Sequence, residues 1–136
     1  MVRNIIAILV GIVVASVVNM GLIKFGHIIV PPPAGVDINS MEGLAATIHL
    51  FEPKHFIFPF LAHALGPLVG TATAMLIAAS HKIKIAIGLA IFFLLGGIVA
   101  NVMIPAPLWY KVIDLVFCYI PMAWIGAKLG GAGKSA

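Results

Sequence analysis

Charge is what this chain has least of. Charged residues make up 9% of its 136 residues, where a soluble domain carries about 25%. A water-exposed surface cannot be built from so few. Cysteine is nearly absent too: Cys118 stands alone. A single cysteine excludes an internal disulfide and a CxxC redox pair, and inside an apolar stretch it reads as a small buried hydrophobe. There is no basic run with interleaved aromatics. The formal charge of +4 is therefore no phosphate-binding surface, and nucleic acid is not an expected partner. No internal repeat is visible, so an inverted-repeat transporter within one chain has no support. No nucleophile motif and no hydride-cofactor motif occurs, which leaves any cofactor unspecified.

Apolar sequence fills the rest. Hydrophobic residues make up 62% of the chain, gathered in four stretches at about 5–25, 55–79, 83–104 and 108–127. A bilayer span needs about 20 mostly apolar residues, and each stretch qualifies. The expected fold is all-α: a polytopic transmembrane four-helix bundle, with residues 1–136 as a single integral membrane domain. The first stretch is longer than the 7–15 residues of a signal-peptide core, and no A-x-A site follows it. It is expected to stay as the first span.

Basic residues sort the connections. Arg3, Lys82, Lys84, Lys128 and Lys134 fall on one side, and Lys24, Lys54 and Lys111 on the other. Positive charge marks the cytoplasm, so both termini are expected inside a bacterial inner membrane. The connection from about Lys24 to Lys54 then lies outside. Pro31-Pro32-Pro33 interrupts helix there. Asn39 as a cap, with Glu42 three residues on, predicts a short amphipathic helix over 41–51 on the outer surface.

Small residues recur every four positions and mark helix faces that approach closely. They are Ala7, Gly11 and Ala15 in the first span and Ala62, Gly66, Gly70 and Ala74 in the second. Gly97 plays the same part in the third. Pro67 between the two second-span glycines predicts a bend.

Each span carries one strongly polar residue: Asn19, His63, Asn101 and Asp114. Counted from the outer end, they lie about five, seven, three and six residues deep, roughly 5–10 Å at the helical rise. Each points with the small residues, towards a neighbouring helix. Intramembrane ionisable residues are functional-site candidates, yet the same residues could serve as hydrogen-bonding glue between helices. Lys111 lies one turn from Asp114 and could pair with it. Glu52 and His55 lie just above this level. Their spacing resembles the ExxH of di-metal bundles, but Pro53 intervenes and no second copy exists, so no metal site is expected. The stretch Gly130-Gly131-Ala132-Gly133-Lys134-Ser135 ends like a P-loop but has Lys128 where the first glycine should be. It reads as a flexible basic tail.

The run Leu50-Phe51-Glu52-Pro53-Lys54-His55-Phe56, with Phe58-Pro59-Phe60-Leu61-Ala62-His63-Ala64-Leu65-Gly66 after it, resembles small four-span bacterial inner-membrane proteins of uncharacterised function. The resemblance implies the span count and no residue role. By size the chain is also similar to small multidrug transporters, but its first span lacks their glutamate. The expected function is binding of a lipid or other amphipathic ligand in an outward-facing polar pocket, at Asn19, His63, Asn101, Asp114, Lys111, His55 and Glu52. His63 and Asp114 would be its ionisable pair. With no catalytic motif, the reading leans away from an enzyme. The alternatives are a structural or assembly subunit of a larger membrane complex, or a homo-oligomeric small carrier or channel.

Overall fold

A computed structural model describes residues 1–133. They form α1 (Val2–Ile29), α2 (Met41–Thr47), α3 (Ile57–Ile77), α4 (Lys82–Met103), α5 (Leu108–Phe117) and α6 (Ile120–Leu129), with 3-10 turns at Ile48–Leu50 and Pro53–Phe56. The fold is all-α, and no strand occurs among the described residues. Four helices are long and apolar enough to cross a membrane: Val2–Ile29, Pro53–Ile77, Lys82–Met103 and, counting α5 and α6 together, Leu108–Leu129. Their outward faces carry Leu9, Val13, Val17, Leu76, Ile87, Ile91, Leu95 and Val116, all well exposed. Water would penalise a patch of that size; lipid would not.

The bundle is built around α3. It is the most buried span, at 44% against 17% for α1 and α4. It packs along α1 on one side and α6 on the other, while α1 and α4 barely touch. Glycine makes both seams close. A Cβ at Gly70 would lie 2.5 Å from the Gly11 carbonyl oxygen, and one at Gly11 would lie 2.8 Å from the Gly70 carbonyl oxygen. Gly66 sits against the Ala15 carbonyl in the same seam. On the other side, Gly126 abuts the Leu68 carbonyl and Gly130 the Ala72 carbonyl. The α1–α3 seam joins two of the small-residue faces that the four-residue spacing marks as turned inward.

Several boundaries differ from the sequence reading. The first span runs on through Lys24 and His27 to Ile29. Gly26 lies beneath the Phe58 ring, and Phe25 meets Phe58 edge-on at 6.0 Å, so contact with α3 holds the extra turns. The connection helix is capped by Ser40 rather than Asn39. The Ser40 hydroxyl accepts the Gly43 N–H at 3.0 Å and donates to Asp37. Asn39 instead gives its backbone N–H to Asp37 at 2.8 Å. These two donors, the Asn39 N–H first, hold the Asp37 carboxyl below its ordinary range. The α-helix stops at Thr47, and a 3-10 turn carries the chain to Leu50.

The fourth span is not one helix. Pro121 has no N–H for the Phe117 carbonyl, and its ring would crowd that oxygen. α5 therefore ends at Phe117, and α6 starts afresh at Ile120 with Pro121 in its first turn. Pro59 is harmless by the same logic, since first-turn N–H groups have no helical partner. α3 stays helical through Pro67. At the opposite end of the bundle, Arg3 donates to the last α3 carbonyl, Ile77, at 2.5 Å. Asn4 accepts the backbone N–H groups of Ala79 and Ser80. The start of α1 thus seals the α3–α4 turn. Residues 130–133 are not loose tail. Ala132 N–H bonds the Ala127 carbonyl and Gly131 N–H the Lys128 carbonyl, with Gly131 at φ 86°, a Schellman ending for α6. Lys134 and Ser135 lie outside the described residues.

Candidate binding site

The polar residues meet where the bundle nears its long connection. Asp114, two turns into α5, is completely buried. Its Oδ1 lies 2.7 Å from His63 Nδ1 on α3. Its Oδ2 accepts from Asn101 Nδ2 on α4 and from the Tyr119 hydroxyl, each at 3.0 Å. A buried carboxylate is costly unless its lone pairs are engaged, and here three elements supply donors to both oxygens. Asn101 also donates to the Gly97 carbonyl one turn back, which fixes its amide. His63, Asn101 and Asp114 therefore converge, as their depths and faces suggested.

The other expected members sit elsewhere. Lys111 does not pair with Asp114; its ammonium donates to the backbone carbonyl of Asn101 at 2.7 Å. That carbonyl lies in the last turn of α4, where helical acceptors lack donors and a cation is favourable. Glu52 and His55 form a capping box of their own around Pro53–Phe56: the Glu52 N–H donates to His55 Nδ1 at 2.9 Å. The Glu52 carboxylate also meets Lys54 at 3.1 Å in an exposed ion pair, worth little in water. Among the described residues, no three His, Cys, Asp or Glu side chains gather at metal-binding distance. Asn19 faces His63 from α1 without bonding to the cluster; both line the same groove.

Tyr119 is the member that sequence reasoning missed. Five residues separate it from Asp114. On a continuous helix that spacing turns the two side chains roughly 140° apart. The break between α5 and α6 folds Tyr119 back onto Asp114. Gly97 makes room for it: a Cβ there would strike the Tyr119 ring. Gly97 is thus a seat for an aromatic ring rather than a helix–helix seam. The only sequence signal was Pro121, two residues downstream. Tyr110, one turn before Asp114, is buried against Phe56 with ring centroids 4.6 Å apart, and its hydroxyl has no partner among the described residues.

Because α1 and α4 splay apart, a groove of about 630 Å³ opens between them, floored by α3 and Tyr119. That volume suits a small-molecule ligand. Its lining is graded. Asn19 and His63 stand towards the long-connection end, and Ile12, Phe92 and Phe93 towards the other. Ser16 has only its acceptor lone pairs left for the groove, since its hydroxyl proton goes to the Ile12 carbonyl. The His63 side chain is 21% exposed. With Nδ1 on Asp114, its remaining ring nitrogen, Nε2, is the one left for the groove. Comparison of the chain with protein-family models, curated proteins and solved structures finds no match.

Proposed function

We propose that this is a multi-pass protein of a bacterial inner membrane that holds a lipid or other amphipathic molecule in the groove between α1 and α4. The observation that carries the reading is the groove's gradient. A histidine backed by a buried carboxylate stands at one end, and aliphatic and aromatic side chains line the rest. The head of the ligand would sit at His63 and Asn19 and its tail along Ile12, Phe92 and Leu95. Asp114 and Asn101 act behind His63, by holding its ring. The groove opens sideways between two apolar helices, so a ligand dissolved in the bilayer could enter without crossing water.

Gly96 offers a clean test. It lines the groove, and a Cβ there meets nothing within 4 Å. Gly96→Trp should fill the groove without disturbing the bundle. Native mass spectrometry should show amphiphile retained by the wild type and lost from the variant, at equal melting temperature. Retention unchanged in Gly96→Trp would remove the groove as the binding site.

The orientation proposed is both termini inside, supported by five basic residues against three across the two sides and the positive-inside bias. The head of the groove then lies in the outer leaflet. Ser40→Cys should be labelled by an impermeant maleimide in intact cells, and Lys82→Cys only after permeabilisation. The reverse pattern would place the site on the cytoplasmic side.

A further inference from the structure

The groove's head end carries two polar side chains, the Asn19 amide, which can donate, and the free ring nitrogen of His63. An ionised Asp114 can only accept hydrogen bonds, so the proton between it and His63 lies on Nδ1. Which imidazole nitrogen carries the proton is set by the bond the other makes. In the neutral ring, Nε2 is therefore a bare lone pair. The backbone of the same residue offers a second acceptor. Pro67 has no N–H, so the carbonyl of His63, four residues earlier, lacks its usual helical donor. His63 and Pro67 both line the groove. Among the described residues, no lysine, arginine, aspartate or glutamate does. A phosphate or carboxylate head would find no cation there, and an ammonium head no anion in reach.

Resting on the reading of the groove as a ligand site, we infer that it selects an uncharged long-chain amphiphile bearing a hydroxyl, whose proton is donated to His63 Nε2. Asp114 acts as a positioning residue that sets the histidine tautomer. The carbon chain then runs towards Phe92 and Phe93. Both a bilayer alcohol and a phenol-headed amphiphile share this chemistry; we commit to an aliphatic alcohol, because the groove between Asn19 and Leu95 opens to the hydrocarbon along its length rather than closing around a ring.

The role of Asp114 yields an unusual variant. In Asp114→Asn, the amide oxygen is best placed at the Oδ2 position, where Asn101 and Tyr119 both donate. The amide N–H₂ then faces His63 Nδ1 and donates to it. The imidazole proton must move to Nε2, and His63 changes from acceptor to donor towards the groove. A side chain that served only packing would cause no such reversal.

The experiment measures binding of 1-dodecanol, dodecyl methyl ether and dodecyl phosphate to the full chain in nanodiscs at about pH 8. Wild type should prefer the alcohol to the ether by about tenfold, the value of one good hydrogen bond. In Asp114→Asn that ratio should fall to about one, since the ether oxygen can accept from Nε2–H. Nitrogen-15 NMR of wild-type His63, which needs no variant to fold, should show Nε2 without a proton. Equal binding of alcohol and ether by wild type, tighter binding of the phosphate, or a protonated Nε2 would each overturn the inference and leave the groove standing. Saturable binding of none of the three probes would overturn both the inference and the groove reading beneath it.

Discussion

Gly70→Leu should lower the melting temperature of the detergent-solubilised protein far more than Leu76→Ala. The two positions lie on one helix, six residues apart, and face opposite surroundings. Gly70 is buried where the backbones of α1 and α3 touch, and even a Cβ there would be 2.6 Å from Ala15 Cβ. A leucine must push the helices apart along the whole seam, because Ala7, Gly11 and Ala15 on α1 have no compliant side chains to yield. Overpacking of this kind costs about 3 kcal/mol and more where backbone must move. Leu76 is 69% exposed, and its truncation should stay within about 0.5 kcal/mol. In lipid no hydrophobic force holds helices together, so close packing must do so. Equal thermal shifts in the two variants would mean that the α1–α3 seam does not hold the bundle.

The same seam shows why parts of this molecule can be read from sequence. A four-residue spacing of small residues survives translation into three dimensions because it belongs to one regular helix. Gly11, Gly66 and Gly70 were legible on that ground. Gly126 and Gly130 lie four apart as well, yet they work against α3 carbonyls at Leu68 and Ala72, and nothing local to α6 names that partner. The polar residues follow the same division. His63, Asn101 and Asp114 could be grouped because depth and face are periodic properties. Asn19 shared the depth but lies across a groove, since sequence does not say that α1 and α4 stand apart.

Irregular backbone is what periodicity cannot reach. Tyr119 meets Asp114 only because the fourth span breaks at Cys118–Tyr119. A helix drawn unbroken through 108–127 places the two residues on different faces. Lys111 was read from its side-chain charge as a partner for Asp114, but a bare helix-end carbonyl competes for the same ammonium and wins. The cap slipped by one residue for a related reason. Asn39 and Ser40 are equally good caps, and Asp37 decides between them by taking the Asn39 N–H.

Asp114→Ala should destabilise the protein by about 3–5 kcal/mol, because it takes an acceptor from three donors at once, whereas Tyr119→Phe should cost about 0.6–2 kcal/mol. The two changes remove opposite ends of one hydrogen bond, and the asymmetry follows from what each leaves behind. Without the Tyr119 hydroxyl, Asp114 keeps His63 and Asn101 as donors. Without the carboxylate, His63 Nδ1 and the Tyr119 hydroxyl lose their acceptor, and Asn101 Nδ2 loses one of its two. Each unsatisfied buried donor costs about 1–3 kcal/mol. Tyr119→Phe should then cost almost nothing more in the Asp114→Ala background, because its bond is already gone. Thermal melts of the two single variants and the double variant in detergent measure that coupling. If Asp114→Ala proves as mild as Tyr119→Phe, or the two effects simply add, the carboxylate is not the hub that joins α3, α4 and the break in the fourth span. His63 would then be held by packing alone. The orientation of its free nitrogen towards the groove, on which selective binding depends, would have no fixed support.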